Sequence, residues 1–126
     1  MPDMNNTFPT EENLSGLNRK DFQKDIDDKQ TDLFILKNKK GMEVAVTNYG
    51  CAILSIMVPD KNGKYANVIL GHDSIDHVIN SPEPFLSTTI GRYGNRIAKG
   101  KFTLYAEEHS LTINNGPNSL HGGPTG

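Results

Sequence analysis

Between Met42 and Asn48 apolar and polar residues alternate: Met42, Val44 and Val46 fall on one side, Glu43 and Thr47 on the other. A period of two predicts a half-buried strand. The stretches around it are apolar without alternation. Thr31 to Lys37 (TDLFILK) and Ala52 to Val58 (AILSIMV) predict more deeply buried strands, and Tyr65 to Gly71 (YANVILG) predicts a fourth. Asn38-Lys39-Lys40-Gly41, Tyr49-Gly50-Cys51 and the Asn62-Gly63 pair separate them as turns. Such turns are too short for parallel crossovers, so the layout is expected to be antiparallel and all-β.

Periodicity is absent from Met1 to Asn18, a polar stretch with two prolines that reads as a flexible leader or a processing remnant. Phe22 and Ile26 then sit four apart among charges, which suits one amphipathic turn or a segment lying across a sheet. Asp73 or Ser74 caps a short helical turn running to Ile79, ended by Asn80-Ser81-Pro82. Phe85 to Ile90 reads as a strand or extended segment. Lys101 to Tyr105 and His109 to Ile113 flank Ala106-Glu107-Glu108 as a hairpin. Residues 19–126 are expected to form one unit, without internal repeat or low-complexity tract.

The chain has 126 residues, enough for one domain with a modest core, and a formal net charge of −2. Its lysines are scattered, so the footprint of a nucleic-acid or anionic-membrane partner is missing. Cys51 is the single cysteine, which excludes an intrachain disulfide and any CxxC metal or redox site and fits a reducing, cytoplasmic setting. Neither a signal segment nor a long apolar run is visible, although a removed signal segment remains compatible with the sequence.

Candidate chemistry gathers in two loops. Asn114-Asn115-Gly116-Pro117-Asn118-Ser119-Leu120-His121-Gly122-Gly123 cannot continue a helix or central strand, and it delivers His121 on a shaped loop followed by two glycines. The alternative is a hairpin loop with an incidental histidine. Gly91-Arg92-Tyr93-Gly94-Asn95-Arg96 lacks the glycine spacing of a phosphate cradle and is too small for a basic patch. It offers two arginines and an asparagine on a glycine-bent segment, one predicted hairpin away from His121. That hairpin places Arg96 and His121 at one end of the sheet, where planar, directional donors suit the hydroxyls of a polyhydroxylated ligand. Salt bridging or strand-edge solvation is the competing reading for Arg92 and Arg96. His72, His77 and His109 lack ligand-like partners and read as surface or strand-edge residues.

The stretches GRYGNRIAKGKFTL and INNGPNSLHGG closely resemble the paired signatures of the aldose 1-epimerase, or galactose mutarotase, family. TNYGCAILSIMVPDKNGKYANVILGHDS resembles that family's N-terminal strands. The resemblance runs from about Thr31 to Gly123, with Gly94 where alanine is commoner. It implies an antiparallel β-sandwich of the galactose mutarotase type, present here as an incomplete N-terminal part. It also implies cofactor-free interconversion of the α and β anomers of free aldoses such as galactose or glucose. In such enzymes a glutamate takes the anomeric proton while a histidine protonates the ring oxygen. By motif match Asn95 and Arg96 contact the sugar, and His121 is the first of two active-site histidines, an auxiliary group on the ring-oxygen side. The general-acid histidine and general-base glutamate belong to later motifs that this sequence does not contain.

Three functional expectations follow. The chain is an N-terminal part of such an enzyme, inactive alone; or a self-sufficient carbohydrate-binding or interaction module; or half of a site completed by another chain or by strand exchange in a homo-oligomer. Exposed sheet faces and edges in a partial sandwich favour oligomers.

Overall fold

The structure, a computed structural model, describes residues 12–124. The chain divides between Thr88 and Thr89 into two compact units. The first is built on a four-stranded antiparallel sheet in the order β3 (Leu33–Lys37), β4 (Glu43–Thr47), β5 (Ile53–Pro59), β6 (Tyr65–Asn67), preceded by the two-residue ribbons β1 (Asp25–Ile26) and β2 (Lys29–Gln30). Strand pairing is antiparallel throughout, and the only α-helix among the described residues is the five-residue α1 (Ile75–Ile79).

The period of two in β4 is present, and the side that is buried is the one carrying Glu43 and Thr47, not the valine side. Glu43, Ala45 and Thr47 are buried, whereas Val44 and Val46 are only half-buried. Register explains this. Ala45 lies between Ile35 and Ser55, and Thr47 opposite Leu33, on the face that Phe22, Ile75 and Val78 cover. Phe22 comes from a 3-10 turn, Arg19–Phe22, capped by Asn18, whose Oδ1 accepts from the Lys20 N–H. Ile75 and Val78 lie three apart on α1, whose N-terminus is capped by Ser74 Oγ accepting from the His77 N–H. Leu54, extruded at the β-bulge beside Ala45/Val46, and Ala52 complete the core. The other face carries Phe34, Leu36, Val44, Val46 and Ile56; Phe34 and Leu36 are 46% and 59% exposed.

A polar residue can take a core position when its bonding is satisfied. Glu43, 0% exposed, accepts from the Leu14 N–H with Oε1 and Oε2 (2.8 and 3.0 Å) and from the Ser15 N–H (3.3 Å), with Lys37 Nζ 3.4 Å away. Residues 13–17 are wound for this by Asn13, whose Oδ1 accepts from Ser15 Oγ and the Leu17 N–H. The segment 1–18, read from sequence as a leader, is therefore held to the sheet over its last residues, while 1–11 lie outside the described residues.

Two expected strands are shorter or absent. Tyr65 to Gly71 yields only β6: Asn67 Oδ1 accepts from both the Ile56 and Ile69 N–H groups, and only the Val68 N–H, donating to the Ile56 carbonyl at 3.1 Å, continues the pairing. Phe85 to Ile90 forms no strand: residues 84–87 make a turn, 88–90 carry no regular secondary structure, and the Ser87 carbonyl accepts from the Ile53 N–H at 2.8 Å.

The second unit contains two small antiparallel pairs: β7 (Arg96–Ile97) with β10 (Ser119–Leu120), and β8 (Lys101–Leu104) with β9 (Glu107–Ser110). The β8–β9 turn is Tyr105-Ala106, not Ala106-Glu107-Glu108. Both residues have positive φ (50° and 65°), the conformation of a two-residue hairpin turn, although neither is the glycine or asparagine that usually signals it. Phe102 and His109 face each other across the pair and stack at 5.0 Å.

Candidate functional site

The short ladder of β7 and β10 brings the two sequence-predicted loops together. Arg96 pairs with Leu120 and Ile97 with Ser119. One step further, Asn95 and His121 face each other, both with left-handed backbone (φ 64° and 51°). The His121 N–H donates to the Asn95 carbonyl at 3.1 Å, and the Asn95 N–H donates to His121 Nδ1 at 2.9 Å. The imidazole thus stands where the next carbonyl of the ladder would accept. Because a backbone N–H can only donate, Nδ1 in this arrangement is an acceptor, and the neutral ring carries its proton on Nε2.

Arg96 is held from two sides. Its Nε donates to Asn115 Oδ1 at 2.9 Å and its Nη1 to Asn95 Oδ1 at 3.2 Å. Asn114 holds the opposite strand in the same manner: its Oδ1 accepts from the Leu120 N–H (2.7 Å) and its Nδ2 donates to the Leu120 carbonyl (2.9 Å). A side-chain amide there imitates a neighbouring strand and fixes the residue immediately before His121. Asn118 Oδ1 accepts from the Lys99 N–H.

Beside these residues lies a hollow of about 1030 Å³, lined by Gly91, Arg92, Tyr93, Asn95, Arg96, Ile97, Ala98, Phe102, Leu111, Ser119 and Gly122. Its wall combines amide and guanidinium donors with the rings of Tyr93 and Phe102. Acidic side chains and histidines are missing from the lining among the described residues. Asn95 and Arg96 line the hollow; His121 stands at its border, bonded to Asn95 and preceding Gly122. The structure therefore brings the three predicted site residues together. It adds Arg92, which sequence reasoning noted, and Tyr93, Phe102, Asn114 and Asn115, whose roles it missed. Among the described residues no group of three or more His, Cys, Asp and Glu side chains is placed to hold a metal ion, and no helix is long and apolar enough to cross a membrane.

The family model for aldose 1-epimerase matches residues 32–126, which takes in the sheet, the hollow and both loops. The chain belongs to the aldose 1-epimerase family. Among its relatives, the galactose mutarotase of Bos taurus is 44% identical over 85 residues, covering 68% of this chain and 25% of that protein. The aldose 1-epimerase of Escherichia coli is 37% identical over 94 residues, covering 75% and 27%. Solved structures agree: an aldose epimerase homologue from C. elegans superposes with a TM-score of 0.66 at 33% identity over 75% of this chain. A galactose 1-epimerase from Lactobacillus acidophilus does so with 0.63 at 33% identity over 79%. The antiparallel all-β architecture is thus that of the aldose 1-epimerase family. The chain spans about a quarter of the length of the relatives it matches.

Proposed function

We propose that this chain carries the sugar-orienting part of a site that interconverts the α and β anomers of a free aldose such as galactose or glucose. The observation that carries this reading is the cluster of Asn95, Arg96 and His121 on and beside one hollow, with directional donors and, among the described residues, no acidic side chain lining it. Ring opening places negative charge on the ring oxygen. A donor fixed beside that oxygen favours the transition state over the ground state, and the tautomer set by Asn95 makes His121 Nε2–H such a donor. Arg96 and Asn95 orient the sugar through its hydroxyls, and Tyr93 or Phe102 offers an apolar surface to a sugar ring face.

Opening a hemiacetal also needs a base that takes the proton of the anomeric hydroxyl and an acid that protonates the ring oxygen as its bond to C1 breaks, with the two roles exchanged on closing, each contributing about 10²–10⁴-fold. Among the described residues the lining supplies neither a carboxylate nor a histidine, with His121 at its border, so the chain alone is expected to bind aldose without speeding its anomerisation. Titration with D-galactose, followed by NMR, is expected to shift the amide signals of Asn95, Arg96 and His121 and to lose that response in His121→Ala. A chain whose signals ignore galactose refutes the reading. Polarimetry of fresh α-galactose is expected to give the spontaneous rate; acceleration abolished by His121→Ala would overturn the inactivity.

A second reading, a site completed by another chain, is favoured by the exposed apolar side chains of Phe34 and Leu36. It requires an oligomer, and a monomer in sedimentation equilibrium counts against it.

A further inference from the structure

We propose that Asn115 is the positioning residue of Arg96, an assignment that rests on reading the hollow as an aldose site. An arginine at an exposed strand end has many rotamers, and a loosely held one aims its donors poorly. Here the guanidinium is gripped at Nε by Asn115 Oδ1 and at Nη1 by Asn95 Oδ1. Fixing Nε fixes the plane of the fork, and with it the directions of the N–H groups that these two acceptors leave for ligand oxygens.

Two features separate this from a role in the turn alone. The reversal at Asn115 is closed by main-chain atoms: the Asn115 N–H donates to the Asn118 carbonyl at 3.1 Å and the Asn118 N–H to the Asn115 carbonyl at 2.9 Å, around Gly116 at φ +54°. The side-chain oxygen of Asn115 is not needed for that closure. Moreover, both acceptors on Arg96 are neutral amides. They orient the guanidinium without offsetting its charge, so it keeps the strength of a charged donor towards hydroxyl oxygens.

The test uses the full chain with Asn115→Leu, Asn115→Asp and Arg96→Lys. The Arg96 Nε–H resonance is assigned by its loss in Arg96→Lys, and its solvent exchange is measured alongside affinity for D-galactose. Asn115→Leu, close in size but without an acceptor, is expected to move that resonance and to speed its exchange and weaken galactose binding by about tenfold each. Asn115→Asp, which restores an oxygen, is expected to keep the resonance protected. Asn115→Leu added to Arg96→Lys is expected to weaken binding no further. An unchanged Arg96 signal in Asn115→Leu, an Asn115→Asp chain that behaves like it, or additive losses in the double variant overturns the assignment. If the Nε–H signal responds as expected in a chain that never binds galactose, the aldose reading fails while the grip of Asn115 on Arg96 stands.

Discussion

Replacing Glu43 with glutamine keeps the side chain's size and removes its charge. Oε1 can still accept from the Leu14 and Ser15 N–H groups, which approach it at 2.8 and 3.3 Å. Where Oε2 now accepts from Leu14 and faces Lys37 Nζ, an NH₂ group would face both donors. Hydrogen bonds to a charged group contribute about 1.5–3 kcal/mol and neutral ones about 0.5–1.5. Downgrading the bonds from residues 14 and 15 and losing the attraction to Lys37 should cost about 2 kcal/mol. The cost falls first on the segment that the carboxylate holds. Amide hydrogen exchange read residue by residue should show Leu14 and Ser15 losing about 30-fold of their protection, since each 1.4 kcal/mol is a factor of ten. The Leu17 N–H should follow, because the turn it closes with Asn13 is organised for the same contact. Glu43→Ala, which leaves those donors without an acceptor beside a cavity, should cost about 3–5 kcal/mol and lower the urea midpoint of the whole first unit. Unchanged exchange at Leu14 and Ser15 in Glu43→Gln would refute the claim that this carboxylate fastens residues 13–17 to the sheet.

Glycine positions give a paired expectation. A Cβ on Gly71 would stand 1.8 Å from the Leu54 carbonyl oxygen, so Gly71→Ala should cost about 3 kcal/mol or more in urea denaturation. Gly94→Ala, which meets only the Ile90 side chain at 3.7 Å, should stay within about 0.5 kcal/mol of the parent. Asp32 is held below its ordinary value of 3.8, chiefly by its hydrogen bonds from Arg19, with the Leu33 N–H assisting. Its contribution to stability is thus complete above that value and lost as the pH falls through the lower folded value. The stability gap between parent and Asp32→Asn should be constant from pH 7 to about pH 5 and close below pH 4; a gap unaffected by acid would contradict it. Asn114→Leu should release the Leu120 main chain and increase exchange at the Leu120 amide, and an unchanged rate there would exclude the amide pairing.

How far the fold was legible depended on whether a signal was local. Strands β3, β4 and β5 and the turn of α1 follow from apolar runs, turn residues and the Ser74 cap, all of which lie within a few residues of the element they specify. Which face of β4 is buried is not a local property. The strand has two valines on one side and Glu43, Ala45 and Thr47 on the other, and hydrophobicity alone assigns the valines to the core. The outcome turns on Phe22, Ile75 and Val78 covering the opposite side and on donors from residues 14 and 15 reaching Glu43, contacts nearly 30 residues apart along the chain. The β8–β9 turn was misplaced for a related reason. Tyr105 and Ala106 take up positive φ without the residues that make it easy, so the register of the pair, not the turn's own composition, sets where the chain reverses.

At the site the same division holds with a different consequence. Asn95, Arg96 and His121 were legible because their residue types advertise hydrogen bonding and a hairpin places their loops together. Asn114 and Asn115 were read only as turn formers, which is the ordinary meaning of asparagine beside Gly-Pro. Their side chains do something the turn does not require: one amide pairs with the Leu120 main chain and the other accepts from Arg96 Nε. Two adjacent residues thereby act on the strand that carries Arg96 and on the strand that leads into His121. Since β7 and β10 have only two residues each, the ladder alone is too short to fix either side chain. Side-chain amides that extend it by one partner on each strand supply the missing rigidity. This is why a loop rich in turn formers, with φ +54° at Gly116, can hold a preorganised cluster of donors at all.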